Sequence, residues 1–299
     1  MTEPEDLPVD AGPAWLGPRA SEDDPPETGR ASRVLTVRAV IPNAITAAAL
    51  CSGLTGIRFA INHDWRMALF AIILAGVLDG IDGRIARLLK AQSRFGAELD
   101  SLADFVNFGV APAIIIYNWA LDDLKSMGWI VVLIYAVCAA LRLARFNVAL
   151  ERTDQPAWQK SYFVGVPAPA GAIVLLLPIY AQDLGLHLPV LTPLILLYTV
   201  AIALLMVSRV PTFSGKMIGQ KIPREHVPPL FVLAALFIGS LLTYPSLTLA
   251  VGSVIYLALI PVSAYRYFQQ ERQMEQVAKA QNGKGLAEPP AIEPPSLPR

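Results

Sequence analysis

Four aspartates, Asp79, Asp82, Asp100 and Asp104, interrupt apolar sequence in the segment LDGIDGRIARLLKAQSRFGAELDSLADFVNFG. The first two are three residues apart and the last two four apart, so on helices each pair shares one face. The short connection around Lys90 to Arg94 makes the two helices neighbours, and the four carboxylates converge. Four like charges repel one another, and each costs about 2.5 to 3.5 kcal/mol to hold at membrane depth. A divalent cation is the simplest compensation. With no histidine or cysteine nearby, all-oxygen ligation favours Mg²⁺, Mn²⁺ or Ca²⁺ over zinc. A rise of 1.5 Å per residue puts Asp79 about 16 Å of helix from Lys90, which calls for a water-accessible cavity below the membrane surface. Gly80, Gly83 and Gly96 lie among the aspartates and leave room for a phosphate to approach helix backbone. Two other arrangements use the same acids: structural ion pairs with Arg84, Arg87 and Arg94, or a cation pathway through a transporter.

The elements that must position these groups are membrane-spanning helices. Of 299 residues, 54% are hydrophobic and 16% charged, with a mean hydropathy of +0.48, outside the range of soluble globular chains. Apolar runs of bilayer-spanning length occupy about residues 40–61, 66–89, 97–121, 128–149, 164–182, 189–208, 227–243 and 246–267. These runs are too long and too evenly apolar for barrel strands, so the expectation is an all-α polytopic membrane protein of about eight transmembrane helices. Arg30, Arg33, Arg38, Lys90, Arg94, Arg152, Lys160, Arg209, Lys216, Lys221, Arg224, Arg266 and Arg272 fall on one side, against Arg66 and Lys125 on the other. By the positive-inside rule both termini are cytoplasmic.

The acidic, proline-containing start lacks the pattern of a secretory signal and reads, over residues 1–37, as a disordered cytoplasmic tail. Residues 38–268 form the transmembrane domain. Residues 269–299 read as a second cytoplasmic tail, with a charged stretch that suits a helix before the disordered AEPPAIEPPSLPR. The basic connection SRVPTFSGKMIGQKIPREHVPP suits either a plain loop or a contact with anionic lipid. Cys51 and Cys138 sit in apolar runs without metal-like spacing and read as small core residues. A formal charge of +0 gives no argument for nucleic acid. No fixed-period repeat is evident.

Asp79, Asp82, Gly83, Ala86, Arg87, Gly96, Asp100 and Asp104 match in type and spacing the signature of the CDP-alcohol phosphotransferases, which the chain therefore resembles. The resemblance implies two metal ions, Mg²⁺ or Mn²⁺ with Ca²⁺ an option for one, held by the four aspartates against the pyrophosphate of a CDP-linked lipid. It implies that Asp104 is the general base, and that Gly83, Ala86, Arg87 and Ser93 lie against the nucleotide or its phosphates. Asn43 and Thr46, within IPNAIT, resemble a further nucleotide-contacting pair.

LRLARFN and the following YFVGVPAPAGA resemble the serine-using bacterial branch of that family, which implies CDP-diacylglycerol and L-serine as substrates. Arg142 and Arg145, three apart, suit a carboxylate or a phosphate, with Asn147 as a neutral partner; ordinary positive-inside anchors are the bland reading of the two arginines. Glycerol 3-phosphate or an inositol phosphate is the alternative acceptor, the latter expected to need more basic side chains. The resemblance covers residues 40 to about 172 and fades in the last three spans. It further implies an enzyme of the bacterial inner membrane with its site facing the cytoplasm, in contact with membrane lipid, and a homodimer as found among relatives.

Overall fold

The computed structural model describes residues 37–150, 162–186, 192–213 and 227–284. The expected tails at 1–36 and 285–299, Arg152 and Lys160, and residues 214–226 of the basic connection lie outside the described residues.

Helix α1 (Val37–Ile61) turns into α2 (Trp65–Leu88) through three residues. His63 takes a left-handed φ of 57°, and the Asp64 side chain caps α2 by accepting from the Met67 amide. The two helices run antiparallel, because Ser52 donates to the Ala71 carbonyl and Thr46, nearer the start of α1, reaches Asp82, nearer the end of α2. After Lys90, at φ 49°, the Ser93 side chain accepts from the Gly96 amide and starts α3 (Arg94–Asp104) back into the bundle. One helical stretch then continues through a π-helical turn (Phe105–Val110), α4 (Ala111–Ile116), a second π-helical turn (Tyr117–Leu121) and a 3-10 turn (Asp122–Leu124). The first π turn starts directly after Asp104. Its wider coil rotates the helix beyond it, and the Phe108 carbonyl accepts from the Tyr135 hydroxyl at 3.2 Å.

Helix α5 (Ser126–Leu150) is followed by strand β1 (Tyr162–Val164). The predicted span at 164–182 forms two helices, α6 (Ala168–Leu175) and α7 (Leu177–Asp183), since Pro178 can neither donate to the ladder nor fit an unbroken turn. Then come α8 (Thr192–Val207), strand β2 (Pro211–Phe213), α9 (Val227–Thr243) and α10 (Pro245–Lys284). Helix α10 continues past residue 267 through the charged stretch.

Strands β1 and β2 pair antiparallel, with Phe163 opposite Thr212, a small sheet that the all-α expectation did not include. Gly165 fastens it. Its φ is 78°, and a Cβ there would sit 2.5 Å from the Met206 carbonyl oxygen, so only glycine fits.

The core lies among α4 to α8, where Ile115, Ile116, Leu121, Tyr135, Leu175, Leu176 and Met206 are fully buried. Large apolar side chains also cover the outside, among them Phe70, Val77, Leu133, Val137, Leu204, Phe231 and Leu236. In water such a surface would aggregate; against lipid tails it is ordinary. Four helices are long and apolar enough to cross a bilayer, Val40–Ile61, Arg94–Leu124, Ser126–Ala149 and Pro245–Gln273, and three apolar helices are shorter. Helix α2 has the length but carries Arg66, Asp79, Asp82, Arg84 and Arg87, of which Asp79, Asp82 and Arg87 belong to the site below. The chain is an integral membrane protein.

Candidate active site

Helix α2 presents Asp79 and Asp82 one turn apart, and α3 presents Asp100 and Asp104 one turn apart on the facing side. Carboxylate oxygens of Asp79, Asp82 and Asp100 lie within 4.8 Å of one another. The Asp104 carboxyl comes within hydrogen-bonding reach of Asp79 and completes the group. Asp82 is only 3% exposed. Its Oδ2 accepts from the Thr46 hydroxyl at 2.5 Å, and its Oδ1, like Asp104 Oδ1, is buried with no hydrogen-bond partner.

Among the described residues the only ion pair is Arg66–Asp183, so no described lysine or arginine nitrogen comes within 4.0 Å of the four carboxylates. The structural pairing with Arg84, Arg87 and Arg94 that the sequence left open is not formed. Buried carboxylate oxygens without donors or cationic partners are costly. Several such oxygens converging on one point are the ligand set of a hard divalent cation, and these residues fit one.

A cleft of about 260 Å³ opens beside the acids. Its walls include Asn43, Thr46, Asp82, Gly83, Ala86, Arg87, Ser93, Gly96 and Asp100. All six residues for which the sequence suggested a nucleotide contact are therefore in one cleft with two of the acids. Thr46 has an additional role that its sequence context did not reveal. Its single proton is directed at both the Pro42 carbonyl and Asp82 Oδ2, so it orients a carboxylate as well as lining the wall. Ser93 also caps α3: its hydroxyl oxygen accepts from the Gly96 amide and its carbonyl from the Ala97 amide, so the first turn, with the positive end of the helix dipole, lies along the cleft. Gln92, beside Ser93, lines the cleft as well and had no signal beyond its place in the short connection.

The interleaved glycines differ. A Cβ on Gly96 would lie 2.9 Å from Asn43 Oδ1, so that glycine is required by helix packing. A Cβ on Gly83 would meet nothing within 4 Å. Protein packing does not demand glycine at position 83, and the space it leaves belongs to the cleft. Gly83→Ala is accordingly expected to keep or slightly raise thermal stability, by up to about 1 kcal/mol. It is expected at the same time to raise KM for the cleft's ligand by about tenfold. Thermal denaturation in detergent and steady-state kinetics check the two halves.

The candidate acceptor residues separate in space. Arg142 is buried, with Asp104 as an electrostatic neighbour and its guanidinium 5.3 Å from the Phe146 ring centroid. Arg145 is exposed and donates to the Val207 carbonyl at 2.8 Å, tying α5 to the end of α8. Asn147 donates to the Ser101 hydroxyl at 3.0 Å and ties α5 to α3. Of the three, Arg142 is the one placed beside the acids.

The sequence profile of CDP-alcohol phosphatidyltransferase matches residues 39–210, more than half of the chain. The chain belongs to the CDP-alcohol phosphatidyltransferase family. A second profile, CDP-alcohol phosphatidyltransferase 2, matches residues 225–261 and extends the family resemblance into α9 and α10, beyond where inspection of the sequence lost it. Among curated family members, a CDP-diacylglycerol--serine O-phosphatidyltransferase of Mycobacterium leprae is 40% identical over 227 residues, 76% of this chain and 75% of that protein. Proteins of the same name from Mycobacterium tuberculosis and Helicobacter pylori are 39% and 33% identical, covering 77% and 73% of this chain and 81% and 88% of theirs.

Proposed function

We propose that this chain transfers the phosphatidyl group of CDP-diacylglycerol to L-serine, giving phosphatidylserine and CMP. The observation that carries the reading is the convergence of four carboxylates and a nucleotide-sized cleft at one end of an apolar bundle, in a chain whose curated relatives carry the serine transferase name. The serine hydroxyl oxygen forms a bond to phosphorus, the bond from phosphorus to the CMP oxygen breaks, and the hydroxyl proton passes to Asp104. Asp79, Asp82, Asp100 and Asp104 would hold two divalent ions, Mg²⁺ or Mn²⁺ with Ca²⁺ an option for one, supplying positive charge for the phosphate oxygens and the departing CMP. Thr46 keeps Asp82 aimed. Arg87, at the exposed rim, donates to a phosphate oxygen. Asn43, Gly83, Ala86 and Ser93 form the wall against the cytidine and its phosphates, and Arg142 receives the acceptor.

In the same reading the chain crosses a bacterial inner membrane eight times with both termini cytoplasmic, and the cleft opens to the cytoplasm, the side to which the basic residues assign Lys90 and Arg94. A homodimer completes it. The test is CMP release by purified protein from CDP-diacylglycerol with Mn²⁺, with L-serine, glycerol 3-phosphate and an inositol phosphate each supplied alone. Serine-dependent release is expected. Release with only another alcohol would replace the acceptor, and metal flux in liposomes without any release would restore the transporter alternative.

A further inference from the structure

Three segments far apart in the chain meet around Arg142, itself a neighbour of Asp104. Arg142, on α5, is 7% exposed and has Asp104 and Tyr256 as its electrostatic neighbours. Helix α10, which carries Tyr256, packs on strand β2. Within β2, Thr212 is buried and donates to the Gly165 carbonyl at 2.9 Å, which holds the strand in place. The Tyr256 hydroxyl oxygen is itself buried. It stands within reach of Thr212, whose own proton goes to the Gly165 carbonyl, and near Arg142, and it forms no hydrogen bond of normal geometry. Buried hydroxyls in native proteins are almost always given a partner, so an unused one beside a buried guanidinium marks a place where a polar ligand binds.

We infer that the Tyr256 hydroxyl and the Arg142 guanidinium together seat the carboxylate of an amino-acid acceptor and so select it over alcohols that lack that group. The inference deepens the serine reading and rests on it. A guanidinium offers paired N–H donors to a carboxylate, and the phenol adds another. The acceptor hydroxyl is then left to reach Asp104. An alcohol without a carboxylate would leave both donors buried and unpaired, which is how a polar site rejects an analogue. Arg145 is engaged with the Val207 carbonyl, so of the two arginines of LRLARFN only Arg142 is turned toward Asp104, rather than the pair that a phosphorylated sugar would call for.

The test compares purified wild type, Tyr256→Phe and Tyr256→His in CMP release from CDP-diacylglycerol with Mn²⁺, titrating L-serine and, separately, ethanolamine, which lacks the carboxylate. Tyr256→Phe is expected to raise KM for serine by about 10- to 100-fold, as for loss of a hydrogen bond to a charged group. KM for CDP-diacylglycerol stays within about twofold, and the preference for serine over ethanolamine shrinks in proportion. Tyr256→His, which keeps a ring donor at shorter reach, is expected to give an intermediate serine KM, and it carries the test alone if the Phe variant is not recovered folded. A serine KM unchanged in these variants, or one that moves together with that for CDP-diacylglycerol, overturns the assignment while leaving the serine reading standing. Wild type that releases no CMP with serine sinks the serine reading and the assignment with it.

Discussion

Asp104→Asn is expected to lower kcat for CMP release by about 10³-fold while changing KM for CDP-diacylglycerol only a few-fold. The carboxamide has the shape of the carboxylate, so α3 and the π turn after it keep their packing. It cannot accept the hydroxyl proton, and general-base loss alone costs about 10²- to 10⁴-fold. Stability is expected to stay as it is. Asp104 Oδ1 is buried without a partner, so the carboxamide of the same shape breaks no hydrogen bond at that atom, and the melting temperature in detergent is expected to hold. Single-turnover kinetics with purified protein separates these effects. A variant with near-normal kcat would move the proton acceptor to another group and reduce Asp104 to a ligand.

Asp82→Ala is expected to cut CMP release by at least about 10³-fold at a Mn²⁺ concentration that saturates the wild type, because metal ligation supplies several kcal/mol of transition-state charge stabilisation. Asp82 is the most deeply placed of the four acids, it faces both the other carboxylates and the cleft, and its Oδ1 has no protein donor. Thr46→Val supplies a graded companion. It removes only the hydroxyl that holds Asp82 Oδ2, and an orienting partner of this kind is worth about 10- to 100-fold in metal affinity. Its kcat at saturating metal is therefore expected to recover, whereas that of Asp82→Ala is not. Titration of Mn²⁺ against activity for both variants, together with direct metal binding by calorimetry, checks the difference. If chelator-treated wild type kept full activity, the role given to the carboxylates would be lost.

The acids were the most legible part of the chain. Charge is excluded from apolar helices unless something compensates it, so Asp79, Asp82, Asp100 and Asp104 stand out against their surroundings, and spacings of three and four residues put each pair on one helix face. The short connection at Lys90–Arg94 then forced the two helices together. The six cleft residues were legible only through the family signature they resemble; the structure gathers them because each lies on α1, on α2 or just before α3, within two short connections of the acids. Span existence was legible from hydropathy; the break between α6 and α7 was missed because a proline in an apolar run is as compatible with a kink as with a new helix start.

Other features had no local signal. Composition and periodicity determined an integral membrane helical protein with a metal-suited acidic site, because burial in lipid acts on each residue by itself and leaves its mark on the linear pattern. Only the tertiary structure decided that Thr46 holds Asp82, that Arg145 caps α8 while Arg142 faces Asp104, and that strands β1 and β2 bring Thr212 against α10 with Tyr256. Each of those contacts joins residues dozens of positions apart through directional hydrogen bonds or close packing. Such contacts depend on where two helices end up relative to each other, and a residue's own neighbours in sequence carry no record of that.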